Sequence, residues 1–363
     1  MLVLLLGFGL SLGVTFMVIR FSRVHAHLSG DSDMSGPQKF HARPVPRVGG
    51  FGILIGLFGA LVLLRVHFGE DGALGLWLLG CALPAFIAGF AEDLTKNQSP
   101  LRRLVCTAVS AVLAAWLLGA VIERTDIPGL DWLVTFAVPA FLVTVFAVSG
   151  VANAVNIIDG FNGLAAMCVV MILGALTYVA FQAGDVVIGF TALATLGAVL
   201  GFFVWNFPAG LIFLGDGGAY FLGFFAAELS ILLLQRNSAV SPLFPLLVCI
   251  YPIFETVFSM YRRKFVRGRA VGMPDGVHLH SLIYRRLMRW AVGDRSAKAL
   301  TKRNSATAPY LWMLCMLSVI PAVLFWNNSA ALGCFIFLFG ATYVILYSRI
   351  VRFRAPNWMI VRR

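Results

Sequence analysis

A handful of polar clusters interrupts an otherwise apolar sequence, and their side chains are of the kinds that handle phosphates and hard cations. Glu92 and Asp93 are adjacent carboxylates, with Lys96 close behind. Neighbouring carboxylates repel, and a divalent cation is their natural partner: Mg²⁺ takes oxygen ligands, typically one or two protein carboxylates completed by substrate phosphates. A solvated loop of ordinary charges is the plain alternative. Asn153, Asn156 and Asp159 recur at i, i+3 and i+6, so on a helix they share one face, and Gly160 and Gly163 then permit a tight turn around Asn162. Asn206 precedes a second cluster, Gly215-Asp216-Gly217, where the backbone can approach a ligand and the amides of a following helix can face an anion. An N-cap would account for Asp216 alone. Glu255 lies inside an apolar run. His278 and His280 sit in the most basic loop, with Arg262, Arg263, Lys264, Arg267, Arg269, Arg285 and Arg286. No neighbouring cysteine or third histidine completes a zinc site, so phosphate recognition suits this loop better.

The elements that must carry these groups are membrane helices. Of 363 residues, 60% are hydrophobic and only 12% charged, against about 45–50% and about 25% in soluble domains. That excludes a soluble globular protein, a disordered chain, a disulfide scaffold and a coiled coil. Apolar stretches of the length needed to cross about 30 Å of hydrocarbon lie near 1–20, 49–68, 73–91, 104–122, 132–150, 163–183, 186–205, 211–234, 240–260, 310–326 and 330–349. The expected fold is therefore all-α, a polytopic integral membrane protein of about eleven transmembrane helices. The first span, with Arg20 directly behind it, reads as an uncleaved anchor with its N-terminus outside, which leaves the C-terminus cytosolic. On that topology only Arg65, Arg124 and Arg236 of the 28 Lys and Arg fall outside, as the positive-inside rule requires. The formal charge of +12 thus needs no nucleic acid, and no nucleic-acid motif accompanies it. The six cysteines, mostly within spans and without metal-type spacing, read as small buried hydrophobes. One transmembrane catalytic domain, 1–363, is expected, its active-site face built from loops 21–48, 92–103, 150–163, 206–218 and 261–309. Carboxylates, a metal and basic groups gathered at one face are what phosphoryl transfer between anionic substrates requires.

Taken in order from Lys39 to Arg286, the clusters resemble the polyprenyl-phosphate N-acetylhexosamine-1-phosphate transferases, a superfamily that includes the phospho-MurNAc-pentapeptide translocase and the enzymes that start O-antigen and teichoic-acid synthesis. His41-Ala42-Arg43-Pro44-Val45-Pro46-Arg47-Val48-Gly49-Gly50 looks like the family's lead-in to its second helix. Glu92-Asp93 with Lys96 is similar to its aspartate-rich motif, Asn156-Ile157-Ile158-Asp159-Gly160 to its Asn-x-x-Asp-Gly motif, and Gly215-Asp216-Gly217 to its Gly-Asp metal motif. Pro274-Asp275, His278 and His280 resemble the histidine loop of the sugar-transferase branch, which favours a GlcNAc-like or deoxy-amino-sugar donor.

The resemblance implies a bacterial inner-membrane enzyme whose active site faces the cytoplasm. It would transfer a sugar-1-phosphate from a UDP-amino sugar to undecaprenyl phosphate, release UMP, and so start a cell-envelope glycan. Mg²⁺, or Mn²⁺ in its place, would be the metal. By matched position Asp216 and Glu92 are the metal ligands, and Asp93, Asp159 and His278 are catalytic. Lys96, Arg103, Asn156, Asn162, Asn206, Arg262, Arg263 and His280 would bind substrate. Membrane lipid and a homodimer complete the expected partners, with oligomeric state left open. Departures from the family pattern are Glu92 for the first of two aspartates, Arg103 for a second lysine, Asn162 for an acidic residue, Glu255 for Asp before Thr, and Ser281 for a third histidine. The alternative from another class is a cation- or proton-coupled secondary transporter using intramembrane carboxylates such as Glu228 and Glu255.

Overall fold

The computed structural model describes residues 1–22, 45–266, 268, 276–288 and 296–353. Among them the regular elements are all helical. They are α1 (Leu2–Arg20), α2 (Gly49–Phe68), α3 (Leu74–Thr95), α4 (Pro100–Leu118), the short α5 (Leu130–Val134), α6 (Ala137–Ile158), α7 (Leu164–Gln182), α8 (Val186–Asn206), α9 (Gly215–Arg236), α10 (Leu243–Val248), α11 (Ile250–Tyr261), α12 (Leu279–Leu282), α13 (Ala297–Leu324) and α14 (Ser329–Val351). Among the described residues, nine helical stretches are long and apolar enough to cross a membrane. One of them, Gly49–Thr95, takes in both α2 and α3 with the 3₁₀ turn Gly69–Ala73 between them. The expected span near 240–260 is broken into α10 and α11 at Cys249. Pro252 supplies the reason, since it has no N–H for the carbonyl four residues back.

Helix ends follow local capping chemistry. Ser99 accepts from the N–H of Arg102 with Pro100 at the first helical position, and Ser296 accepts from Ala299 in the same way. Asp185 and Asn328 cap α8 and α14. Three elements run past the expected boundaries towards the polar clusters. α3 reaches Thr95, α6 reaches Ile158, and α13 starts at Ala297, so part of the anticipated 261–309 loop is helix. Asp93, Asn156 and Asn304 in these extensions face partners in the bundle, which apolarity alone does not register.

α9 is the axis of the molecule: every residue from Gly215 to Leu233 is buried. It packs against α2, α3, α4, α6 and α7. α1 lies between α2 and α8, and the contact depends on glycine, because a Cβ at Gly197 or Gly201 would strike the carbonyls of Leu4 and Phe8. Small residues that let backbones approach are the usual means of helix association where lipid removes the hydrophobic drive. The outer surface is apolar, with Trp116, Phe146 and Phe337 about as exposed as side chains become, at 78%, 80% and 81%. An apolar exterior around apolar helices of this length is that of a multi-pass membrane protein.

The two ends of the bundle differ. At one end Arg124 donates to the carbonyls of Leu234, Asn237 and Val240 at 3.1, 2.8 and 2.7 Å, closing the C-terminus of α9. There, too, Arg236 pairs with Asp185 at 2.6 Å. At the other end the N-termini of α2, α4 and α9 meet the C-termini of α3, α6 and α8, and the polar clusters converge.

Candidate active site

The N-terminus of α9 forms the floor of the site, and the sequence clears room for it. Gly215 takes a φ of +77°, and a Cβ there would collide with the carbonyl of Arg47 and the carboxylate of Asp93. Beside it, Phe213 N–H donates to the Pro46 carbonyl at 2.8 Å, while the N–H groups of Gly49 and Gly50 donate to Phe213 and Leu214, each at 3.0 Å. The lead-in to α2 is thereby stitched to the lead-in to α9. Gly89 of α3 backs directly onto Gly217: a Cβ at position 89 would lie 2.5 Å from its nitrogen. The Asp93 carboxylate, 1% exposed, then accepts from the N–H groups of Asp216 at 2.8 Å and Gly217 at 2.9 Å. These are orphan donors of a helix start, which a carboxylate satisfies both by hydrogen bonding and by charge.

Above that floor is a cavity of about 410 Å³ lined by, among others, Arg47, Glu92, Arg103, Asn156, Asp159 and Asp216. The Asp216 carboxylate is its electrostatic centre. Oδ1 accepts from the Asn156 amide at 3.1 Å and faces the Arg47 guanidinium at 3.4 Å, and Oδ2 pairs closely with Arg103. The Arg103 guanidinium lies 5.8 Å from the centre of the Tyr220 ring, and Tyr220 donates its O–H to Asn153 at 3.1 Å. Asn153 and Asn156 thus share a face of α6 turned towards α9, and Asp159, just past the helix end, joins Asn156 at the cavity. Burial at the end of α6 pushes the Asp159 carboxyl up to about 7, against the lowering pull of Arg47. Glu92 lines the cavity while Oε2 accepts from the Gln98 N–H at 2.6 Å.

The opposite wall is rich in asparagine and histidine. Asn206 accepts from the Gly163 N–H at 2.6 Å and donates to the Ile212 carbonyl at 2.7 Å. Asn162 donates its backbone N–H to Asn304 Oδ1 at 2.8 Å and its side-chain amide to Ser305 at 3.1 Å. Both asparagines line the cavity, yet each also ties one loop to another. The His278 and His280 rings stack with centroids 5.0 Å apart, and Phe161 meets His280 edge-on. Ser281 lines the same wall.

Of the residues expected to act, Glu92, Arg103, Asn156, Asp159, Asn162, Asn206, Asp216, His278 and His280 meet in this one cavity. Asp93 lies beneath it with both oxygens on backbone amides. Lys96 stands in left-handed conformation at the end of α3, exposed and off the lining. Arg262 is buried behind the histidines, and Arg263 is also off the lining. Arg43, Pro44, Pro274, Asp275 and the basic Arg267 and Arg269 lie outside the described residues. Arg47, which spacing gave no role, proves central; its signal was a cation placed next to the Gly49-Gly50 pair. Asn304 was masked by the basic stretch around it.

The donor set suits a hard cation shared with a substrate. Asp216, Asp159 and Glu92 offer oxygens, but no group of three acidic, histidine or cysteine side chains converges to hold a metal alone among the described residues. The two guanidinium groups at Asp216 are equally suited to phosphate oxygens.

Residues 76–234, from within α3 to the end of α9, match the family profile of glycosyl transferase family 4. The chain is 28% identical, over 73% of its length and 72% of the relative's, to a protein of Bacillus subtilis (strain 168) whose name is "probable undecaprenyl-phosphate N-acetylglucosaminyl 1-phosphate transferase". It is 27% identical to the undecaprenyl-phosphate alpha-N-acetylglucosaminyl 1-phosphate transferase of Thermotoga maritima, over 76% of this chain and 81% of that one. It is also 32% identical to a phospho-N-acetylmuramoyl-pentapeptide-transferase of Mycobacteroides abscessus, over 54% of this chain and 66% of the relative. The matched segment carries the Glu92-Asp93 pair, the Asn-x-x-Asp-Gly turn and the Gly-Asp floor that the structure joins, and in these residues the chain is similar to glycosyl transferase family 4 and to the polyprenyl-phosphate N-acetylhexosamine-1-phosphate transferases.

Proposed function

We propose that the protein transfers a sugar-1-phosphate, N-acetylglucosamine 1-phosphate in the first instance, from a UDP-sugar to undecaprenyl phosphate, and so starts a cell-envelope glycan. An oxygen of the undecaprenyl phosphate attacks the β-phosphorus of the UDP-sugar. The bond from that phosphorus to the bridging oxygen breaks, and UMP leaves with the bridging oxygen and its electron pair. The observation that carries this is the joining, at one end of a membrane bundle, of three carboxylates, two arginines and two histidines around one cavity.

Each group has a task that follows from its surroundings. Arg47 and Arg103 turn from Asp216 to the phosphate oxygens of the two substrates, where their charge offsets the anionic pair. Asp216, with Asn156 beside it, is the principal metal ligand, and Glu92 and Asp159 are within the same lining. Mg²⁺ bound there supplies charge neutralisation at the transferring phosphoryl group. Asp93 acts through the turn, holding the Asp216 and Gly217 amides in place, and the acceptor needs no base because its phosphate is already an anion. The site faces the cytoplasm of a bacterial inner membrane, which the gathering of basic residues at its end of the bundle supports. Of the two carboxylates on which the transporter alternative rests, Glu255 is engaged by hydrogen bonds beside the histidines, while Glu228 is buried in α9 away from the cavity lining.

The test is UMP release from UDP-N-acetylglucosamine and undecaprenyl phosphate by washed membranes. Activity is expected to need Mg²⁺, to vanish with a chelator, and to fall at least about a hundredfold in Asp216→Asn, as loss of a charged transition-state contact does. Undiminished turnover in that variant sinks the assignment.

A further inference from the structure

Behind the cavity, two parallel ties run from α11 to α14 and grip the histidine segment between them. Glu255 and Arg262 are seven residues apart, two turns, and so project from the same side. Tyr343 and Tyr347 are one turn apart on α14. In the first tie, Glu255 Oε1 accepts from His278 Nδ1 at 2.9 Å and from the Leu279 N–H at 3.2 Å, and Oε2 accepts from the Tyr343 O–H at 2.7 Å. In the second, Arg262 donates to the Val277 carbonyl at 2.9 Å and to the Tyr347 hydroxyl oxygen at 2.6 Å, with its guanidinium 5.1 Å from the Tyr347 ring centre. Consecutive residues 277, 278 and 279 are thus each held by one of two buried charges. All four tie residues are buried, and none lines the cavity.

We propose that Glu255 is a positioning residue that fixes the tautomer and aim of His278. An ionised carboxylate only accepts hydrogen bonds, so His278 carries its proton on Nδ1 and presents Nε2, as an acceptor, to a hydroxyl of the UDP-sugar. Tyr343 locks the far oxygen of that carboxylate, and the Arg262–Tyr347 tie sets the height of the loop. α14, which lies outside the segment matched by the family profile, therefore helps to aim a substrate-facing group. Partners that orient a ligating histidine in this way typically cost about 10–100-fold in activity when removed.

The proposal rests on the UDP-sugar transfer put forward above, and a double-mutant cycle tests it. Glu255→Met is expected to lower kcat/KM for the UDP-sugar about 10–100-fold while KM for undecaprenyl phosphate stays within about twofold. In a His278→Ala background the same change is expected to add nothing. Tyr343→Phe gives a smaller loss with the same dependence on His278, and it decides the matter should Glu255→Met fail to fold as judged by size exclusion in detergent. Equal losses in both backgrounds, or an unaffected His278→Ala, overturn the proposal. The cycle is also read on UDP affinity by calorimetry. If the wild type releases no UMP from any UDP-sugar, the transfer fails, and non-additive UDP affinities still support the tie. Equal affinities across the four proteins overturn it.

Discussion

Asp159 holds its proton almost to neutrality, and that single titration has two consequences of opposite sign. Its ordinary value is 3.8 and burial raises it to about 7. Between those values the folded protein binds the proton more tightly than the unfolded chain does. The contribution of Asp159 to stability is therefore full at low pH, falls as pH rises through this window, and is lost above about 7. On the proposed mechanism activity moves the other way, because only the carboxylate would share a cation with Asp216. The kcat/KM profile is expected to climb with a one-proton limb near pH 7. Asp159→Asn is expected to lose that limb while raising the melting temperature more at pH 8 than at pH 5; a retained limb refutes the role. At this scale the sequence was most legible where polarity was anomalous. Asn156, Asp159 and Asp216 stood out because an apolar context makes polar residues costly, and His278 because it pairs with His280 two residues on. Arg47 and Asn304 did not, because each lies among ordinary basic neighbours and only the tertiary contact reveals it. Asn162 and Asn206 were found for their polarity, yet much of their hydrogen bonding joins loop to loop.

Among the elements, α3 and α9 depend on one another most closely. Gly89 is small because Gly217 lies against it, and Asp93 then reaches the two amides that open α9. Gly89→Ala is expected to push the helices apart, break one or both of those hydrogen bonds and destabilise the protein by about 1–3 kcal/mol, as overpacking does. Turnover should drop at least about tenfold, since Asp216 moves with the turn. Wild-type melting temperature and turnover in this variant refute the coupling. Hydrophobic runs located the long helices well, but not their inner ends. α3, α6 and α13 continue through polar residues that the bundle satisfies, and α10 and α11 part at a proline-dependent break that leaves a continuous apolar run unchanged. A stop signal in composition is not a stop signal in hydrogen bonding.

Among the described residues, basic side chains gather at the end of the bundle that holds the site. Arg65, Arg124 and Arg236 are the basic residues assigned to the far side, and two of them are spent on structure there, one closing α9 and the other paired with Asp185. A reporter fused after Phe353 or inserted at 97–99 is expected on the cytoplasmic side, and one inserted at 184–185 or 327–328 on the outer side. The reverse pattern sinks the orientation, and the proposed use of cytoplasmic UDP-sugars with it. This asymmetry is an expectation drawn from the sequence alone, because it is a count over loops and needs no contact map. What no count could show is which helix supplies the floor of the site. That helix is α9, buried along nearly all its length. Segments that open first on local unfolding are those with little buried contact, and the most enclosed open only with the whole. Asp216 therefore rides on the last element to let go, so the floor of the site stays assembled through local fluctuations and is lost only when the bundle itself comes apart.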